Sequence, residues 1–118
     1  DMLGPVTAYL VAHHGNYDTD IPALVSALRP EVAVMDNGPT KGGDPAAFTT
    51  LHRQPRLDLW QMHASENENA ANAPDEYIAN VDRGETAYEL VLEAHADGTF
   101  TVTNERTGFL KRYRSATR

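Results

Sequence analysis

Two adjacent histidines, His13 and His14, are the residues of this sequence best suited to carry chemistry. Neutral imidazole is the commonest metal ligand in proteins. The pair directly follows a short apolar run, which predicts that it lies at the carboxyl edge of a parallel sheet, where open α/β folds bind ligands. Strand side chains alternate between faces, so both rings reach one metal only if the backbone turns, which Gly15 would permit. The structural alternative is one histidine in a polar loop and the other hydrogen-bonded to the backbone.

Four further polar residues are predicted near the same edge of the sheet. Two are aspartates in loops that follow strands, one is the lysine of a glycine-rich loop at 36–44, and one is a histidine that ends a strand. Side chains of these types could orient a metal ligand or form the rim of a pocket. These candidates are Asp18, Asp36, Lys41 and His63.

The other polar residues considered are given a structural role or no role at all. Asp20 and Asp44 are favoured as helix caps, and His63 has an alternative role as a half-exposed polar residue. His52 and His95 are assigned no role. The nucleotide-binding spacing of glycines with Lys and Ser/Thr is absent, as is the Gly-x-Ser-x-Gly turn of serine hydrolases. We therefore assign no catalytic residue.

The elements that position these residues are predicted from apolar runs and breakers. Residues 1–63 predict a βαβαβ unit with parallel strands, because short apolar runs alternate with helical spacing over about 30 residues per unit. The first strand, at 7–12, is expected to be buried on both faces. The remaining elements are a helix through Leu28, a strand at 32–35, a helix with Phe48 and Leu51, and a strand at 57–62.

The second half of the sequence predicts a different architecture. Residues 64–76 are expected to form an exposed loop, because they contain no large apolar residue through Pro74. Residues 77–118 predict antiparallel strands, with Asp97-Gly98 as a tight hairpin turn and a last short strand near Tyr113. The predicted fold class is thus α/β (α+β), a single domain over 1–118 in which βαβαβ is followed by an antiparallel C-terminal hairpin.

Composition narrows the function classes. The chain has 118 residues, a net charge of −7 and no cysteine, so disulfides and thiolate metal sites are excluded. An acidic protein repels phosphate backbones, so nucleic-acid binding is disfavoured despite five basic residues after 105. No apolar run is long enough to predict a membrane span.

The strand, the His13-His14-Gly15-Asn16 sequence, the following helix and the strand at 32–35 together resemble one family. The chain resembles the C-terminal portion of a metallo-β-lactamase-fold hydrolase, in the competence-protein-like branch whose strand ends in His-His-Gly. The resemblance implies the second half of an αββα sandwich and two zinc ions, whose bridging hydroxide attacks an ester or phosphodiester bond. Carried over by position, His13 is the favoured ligand, with His14 as the alternative.

Three departures from that family limit the expected activity. The sequence lacks the His-x-His-x-Asp-His motif. It also lacks the later His and bridging Asp that should precede the His-His-Gly strand, unless Asp1 is a remnant of them. Finally, Gly43-Asp44-Pro45 replaces Gly-His-Pro, and Asn16 stands where Ser is usual. With the unusual start at Asp1, this suggests a fragment or processed chain. We therefore expect the C-terminal part of a zinc-dependent hydrolase, inactive alone because one or two histidines are fewer than the three protein ligands of a catalytic zinc.

The alternative function is a stand-alone α/β module that binds or assembles without catalysis. The two hypotheses differ in partners. A half-sandwich would expose a sheet face, so its expected partner is the missing N-terminal half or a second copy of the chain. The resemblance favours a periplasmic or secreted location over a cytoplasmic one.

Overall fold

A four-stranded parallel sheet forms the centre of the protein. The computed structural model describes residues 8–15, 22–82 and 87–114. The strands are β1 (Ala8–Leu10), β2 (Val32–Met35), β3 (Asp58–His63) and β4 (Ile78–Asn80), in the order β1-β2-β3-β4, with every neighbouring pair parallel. The predicted parallel β-strand arrangement of the first half is therefore confirmed.

Two short helices connect the first three strands. Helix α1 (Pro22–Leu28) and helix α2 (Pro45–His52) both begin at a proline, whose missing N–H needs no partner in a first turn. Asp44 occupies the residue before α2, but its side chain makes no capping hydrogen bond. No helix among the described residues is long and apolar enough to cross a membrane.

The helices cover one face of the parallel sheet. Val25 of α1 and Phe48 and Leu51 of α2 pack against Ala33 and Met35 of β2, and all five are fully buried. Their spacing explains this, because residues three or four apart share one face of a helix and residues two apart share one face of a strand.

A three-stranded antiparallel sheet follows the parallel one. It consists of β5 (Leu90–Ala94), β6 (Thr99–Asn104) and β7 (Leu110–Arg114), with β6 in the middle. The predicted hairpin turn lies between β5 and β6, where Gly98 has φ +84°. Such a backbone conformation favours glycine, which explains why Asp97-Gly98 predicted the turn correctly.

The antiparallel sheet covers the other face of the parallel sheet. Val32 and Trp60 pack there against Phe100 and Val102, and Trp60 is fully buried. The Trp60 Nε1–H donates to the Tyr113 hydroxyl at 3.0 Å. The result is three layers: helices, parallel sheet and antiparallel sheet.

The Asp58 carboxylate of β3 adds two polar contacts between the parallel and the antiparallel sheet. The Tyr113 hydroxyl donates to Asp58 at 2.7 Å, and Lys111 forms an ion pair with the same carboxylate oxygen at 2.6 Å. Burial, with a smaller effect of Asp58, raises the pKa of Tyr113 above its usual range, so the phenol stays protonated as a donor. The hydrogen bond to Asp58 raises the pKa of Lys111.

Three expectations about the elements need correction. Strand β1 is not buried on both faces: it is a short edge strand, and Leu10 is 69% exposed. Strand β4 was expected in the antiparallel part, yet it joins the parallel sheet beside β3. The 64–76 segment has many exposed residues, but Ser65 and Ala73 within it are buried.

Candidate metal-ligand site

The two histidines lie in a tight turn at the carboxyl end of β1. Residues Ala12–Gly15 form a 3₁₀ turn, here called the histidine turn. His14 has φ +59° and Gly15 φ +80°, so the backbone turns at these two residues. The φ of Gly15 favours glycine, and a Cβ there would in addition lie 2.9 Å from the end of the Met35 side chain, which would have to shift.

The His14 ring is held by the carboxyl end of the neighbouring strand. Its Nδ1 donates to the backbone carbonyl of Asp36, directly after β2, at 2.6 Å. A carbonyl oxygen only accepts, so Nδ1 carries the proton. In the neutral ring the lone pair is then on Nε2, which is the state that a metal ligand requires.

The turn formed by Gly42 and Gly43, here called the glycine turn, packs against the backbone of the histidine turn. The Gly43 N–H donates to the His14 carbonyl and the Asp44 N–H to the Gly15 carbonyl, each at 2.9 Å. A Cβ on Gly42 would lie 1.8 Å from the His14 carbonyl oxygen. The glycine-rich loop expected as a pocket rim is therefore a close packing partner of His14.

His63 lies at the same edge of the sheet, at the end of β3 as predicted. Asn37 joins it to the end of β2: the Asn37 amide donates to the His63 carbonyl at 2.9 Å, and its side-chain oxygen accepts from the His63 N–H at 3.3 Å. The His63 ring is half-buried, and its Nδ1 is buried with no hydrogen-bond partner among the described residues. The structure thus brings His14, Asp36 and His63 to one edge.

The side chains of the other predicted site residues that the structure describes, Asp36 and Lys41, are exposed. The Asp36 side chain is exposed, and only its carbonyl contacts His14. Lys41 is exposed, and its carbonyl accepts from Gly38 N–H in the glycine-rich loop. Asp18, Asp20 and the side chain of His13 lie outside the described residues.

Sequence reasoning missed the polar residues that support this edge. Ser65 and Asn67 contact the glycine turn, and Asn72 contacts Gln61 of β3, although their segment was predicted only as an exposed loop. The signal was weak, since an Asn-rich stretch has no periodicity. The high density of Asn and Ser beside a strand end was the one clue available.

No group of three or more His, Asp or Glu side chains that could hold a metal ion is found within residues 8–15, 22–82 and 87–114. At this edge of the sheet, the contact that defines a ring tautomer is the one between His14 Nδ1 and the Asp36 carbonyl. No family model, curated protein or solved structure matches the chain.

Proposed function

We propose that this chain is the C-terminal part of a zinc-dependent hydrolase, and that it contributes one or two histidine ligands to the metal site. The supporting observation is the hydrogen bond from His14 Nδ1 to the Asp36 carbonyl. Histidines that bind metals usually donate their other ring N–H to a carbonyl or carboxylate, which fixes the tautomer and the ring orientation.

The residues present fit a zinc ion as a partial ligand set. His14 Nε2 would bind the metal, His13 would be the second candidate ligand, and a bound zinc would supply a hydroxide nucleophile near neutral pH. Sequence resemblance favoured His13, whereas the His14 hydrogen bond favours His14. Two histidines leave at least one protein ligand to come from elsewhere, so the isolated chain should be inactive.

The missing ligands imply a partner, which is either the N-terminal half of the fold or a second copy of this chain. An apolar groove of about 320 Å³ lies along the edge strand β1, lined by Ala8, Tyr9, Leu10, Val34 and Leu92. Leu92 is 45% exposed, so apolar side chains face solvent on both sides of the groove. In the purified chain, the occupant would be a second copy.

A non-catalytic binding or assembly module is the second candidate function. The observation that favours it is that the antiparallel sheet already covers the face of the parallel sheet opposite the helices. Val32 and Trp60, on the face that the missing half of a sandwich would contact, are already buried by the chain's own antiparallel sheet. A module with both faces covered needs no second half to be stable.

Zinc calorimetry on the purified chain tests the proposal. We expect zinc binding by the wild type and an affinity at least tenfold lower in His14→Ala, since a direct ligand is lost. His95→Ala is the matched control, because His95 lies in the β5–β6 hairpin, and its affinity should equal that of the wild type.

Two results would contradict the proposal. Absence of zinc binding by a folded monomer would make the stand-alone module the leading hypothesis. Robust zinc-dependent hydrolysis of a model phosphodiester such as bis(p-nitrophenyl) phosphate by the isolated chain would show that the ligand set is complete without a partner.

A further inference from the structure

The glycine turn at Gly42–Gly43 is held between two parts of the chain. Its amides face the histidine turn, where Gly43 and Asp44 N–H donate to the His14 and Gly15 carbonyls. Its carbonyls face the segment after β3, where side chains of that segment donate to them. The peptide units of one turn thus connect the two segments.

Ser65 and Asn67 supply the donors on the far side of the turn, and we call this pair the brace. The Ser65 hydroxyl donates to the Gly43 carbonyl at 2.7 Å, and Ser65 is buried. The Asn67 amide donates to the Gly42 carbonyl at 2.7 Å and to the Gly43 carbonyl at 3.2 Å. It also approaches an Asp44 carboxylate oxygen at 3.4 Å.

The two glycines match the two sides of this arrangement. A Cβ on Gly42 would collide with the His14 carbonyl, and a Cβ on Gly43 would lie 2.9 Å from the Ser65 side chain. Both have positive φ, +71° and +61°. Each glycine therefore permits one close approach, so a shift of the brace displaces the turn and, with it, the His14 backbone.

The brace is itself attached to the buried part of the sheet. The Asn72 side-chain oxygen accepts from the Ser65 N–H and from the Gln61 amide, each at 2.8 Å. Gln61 is fully buried in β3, and its oxygen accepts from the Ala73 N–H at 2.7 Å. Gln61 and Ser65 are buried, while Asn72 between them is exposed. Buried polar groups that are hydrogen-bonded hold one geometry, so the two ends of this link support the segment.

We propose that Ser65 and Asn67 are positioning residues for His14: through the Gly42–Gly43 turn they hold the ring in register with the Asp36 carbonyl and thereby maintain the Nε2 lone pair. His14 needs such support because its φ of +59° is a conformation that a residue with a side chain rarely adopts. The consequence for zinc affinity rests on the proposed function, whereas the consequence for the ring does not.

The experiment compares the His14 ring in Asn67→Asp, Ser65→Ala and the wild type by long-range ¹H–¹⁵N NMR without metal. Asn67→Asp keeps the size of the side chain but removes its donors. We expect the Nδ1–H form of His14 to dominate in the wild type. In both variants the ratio of the Nδ1–H to the Nε2–H form should fall about two- to fivefold, as expected for a weakened hydrogen bond.

Glu68→Ala is the matched control, because Glu68 is exposed in the same loop. It should leave the His14 ring signals unchanged. A folded Asn67→Asp or Ser65→Ala protein whose His14 tautomer ratio equals that of Glu68→Ala would overturn the inference. A general loss of dispersed amide signals in one variant would leave the decision to the other.

Zinc calorimetry adds a second measurement. Zinc affinity should fall about 10- to 100-fold in Asn67→Asp, the usual effect of residues that orient a ligand. If the wild type binds no zinc, the proposed function fails while the metal-free ring comparison still decides the role of the brace. If zinc binds equally to the wild type and Asn67→Asp, the positioning role is contradicted and the proposed function survives.

Discussion

Replacement of Gly42 by alanine tests whether the glycine turn fixes the backbone of His14. The new Cβ would lie 1.8 Å from the His14 carbonyl oxygen, and φ at Gly42 is +71°. The left-handed conformation alone costs about 1–2 kcal/mol for a residue with a Cβ. The new Cβ would also push the glycine turn away from His14. The atoms in contact belong to the His14 backbone, so no flexible side chain can move to make room.

The expected magnitude follows from what that separation breaks. The Gly43 N–H would lose the His14 carbonyl, and Gly43 is buried. A buried amide without a partner costs about 1–3 kcal/mol. Together with the backbone conformation, we expect Gly42→Ala to lower the free energy of unfolding by about 2–5 kcal/mol.

Gly108→Ala is the matched control. Gly108 has φ +77°, but a Cβ added there would meet no atom within 4 Å, so only the conformational cost of about 1–2 kcal/mol applies. Urea unfolding followed by the fluorescence of Trp60, the sole tryptophan, measures both variants. Hydrogen exchange at the Gly43 amide should accelerate in Gly42→Ala alone. Equal stability losses in the two variants, with unchanged exchange at Gly43, would refute the reasoning.

Three further predictions concern other parts of the fold. Tyr113→Phe should lower the free energy of unfolding by about 1–3 kcal/mol in urea, because the fully buried Trp60 N–H loses its acceptor. The Thr99 hydroxyl and N–H lower the pKa of Asp97, so its stabilisation is present above pH 3.8 and is lost below it; the stability difference between wild type and Asp97→Asn should therefore shrink in acid titrations below that pH. Leu10→Lys should reduce self-association in sedimentation velocity, because Leu10 lines the apolar groove beside the edge strand β1.

Each of these predictions has a control in the same chain. Tyr88→Phe should cost less than Tyr113→Phe, and equal costs would contradict the role of the Trp60 hydrogen bond. Thr99→Val removes the hydroxyl that donates to Asp97, so the acid-dependent stability difference caused by Asp97→Asn should be smaller in that background. An unchanged difference would count against the Thr99 contacts. Leu110→Lys, at a leucine that is 52% exposed on β7, should leave self-association as it is. A wild-type monomer at all concentrations would contradict the groove as an interface.

The parts of the fold that sequence could predict have strong local signals. The β5–β6 hairpin was predictable because Asp97-Gly98 needs the positive φ that Gly98 adopts. The short run Val32–Met35 predicted β2, which is the interior strand between β1 and β3. In both cases the signal is local: a turn that needs a positive φ, and an uninterrupted apolar run.

Strand β4 shows what such local signals omit. Ile78–Asn80 contains one large apolar residue, and its place in the parallel sheet follows from pairing with β3. The Asn80 side chain adds to that pairing by donating to the Met62 and Tyr88 carbonyls at 2.8 and 2.9 Å. Partners 18 residues apart leave no pattern in a three-residue strand.

The candidate site was predictable only in outline. Residue types and strand ends correctly predicted that His14, Asp36 and His63 share one edge of the sheet. The state of the His14 ring depends on a contact with a residue 22 positions away. The contact of Ser65 with Gly43 spans the same distance, so neither could be read from spacing along the chain.

The most direct test of the proposed zinc site is long-range ¹H–¹⁵N NMR of the His14 ring during a zinc titration of the wild-type chain. If His14 is a zinc ligand, its Nε2 signal shifts in proportion to bound zinc, while the Nδ1–H signal persists because Nδ1 keeps its proton and donates it to the Asp36 carbonyl. An Nε2 signal that does not move at saturating zinc, or loss of the Nδ1–H signal, would contradict the assignment of His14 as the ligand.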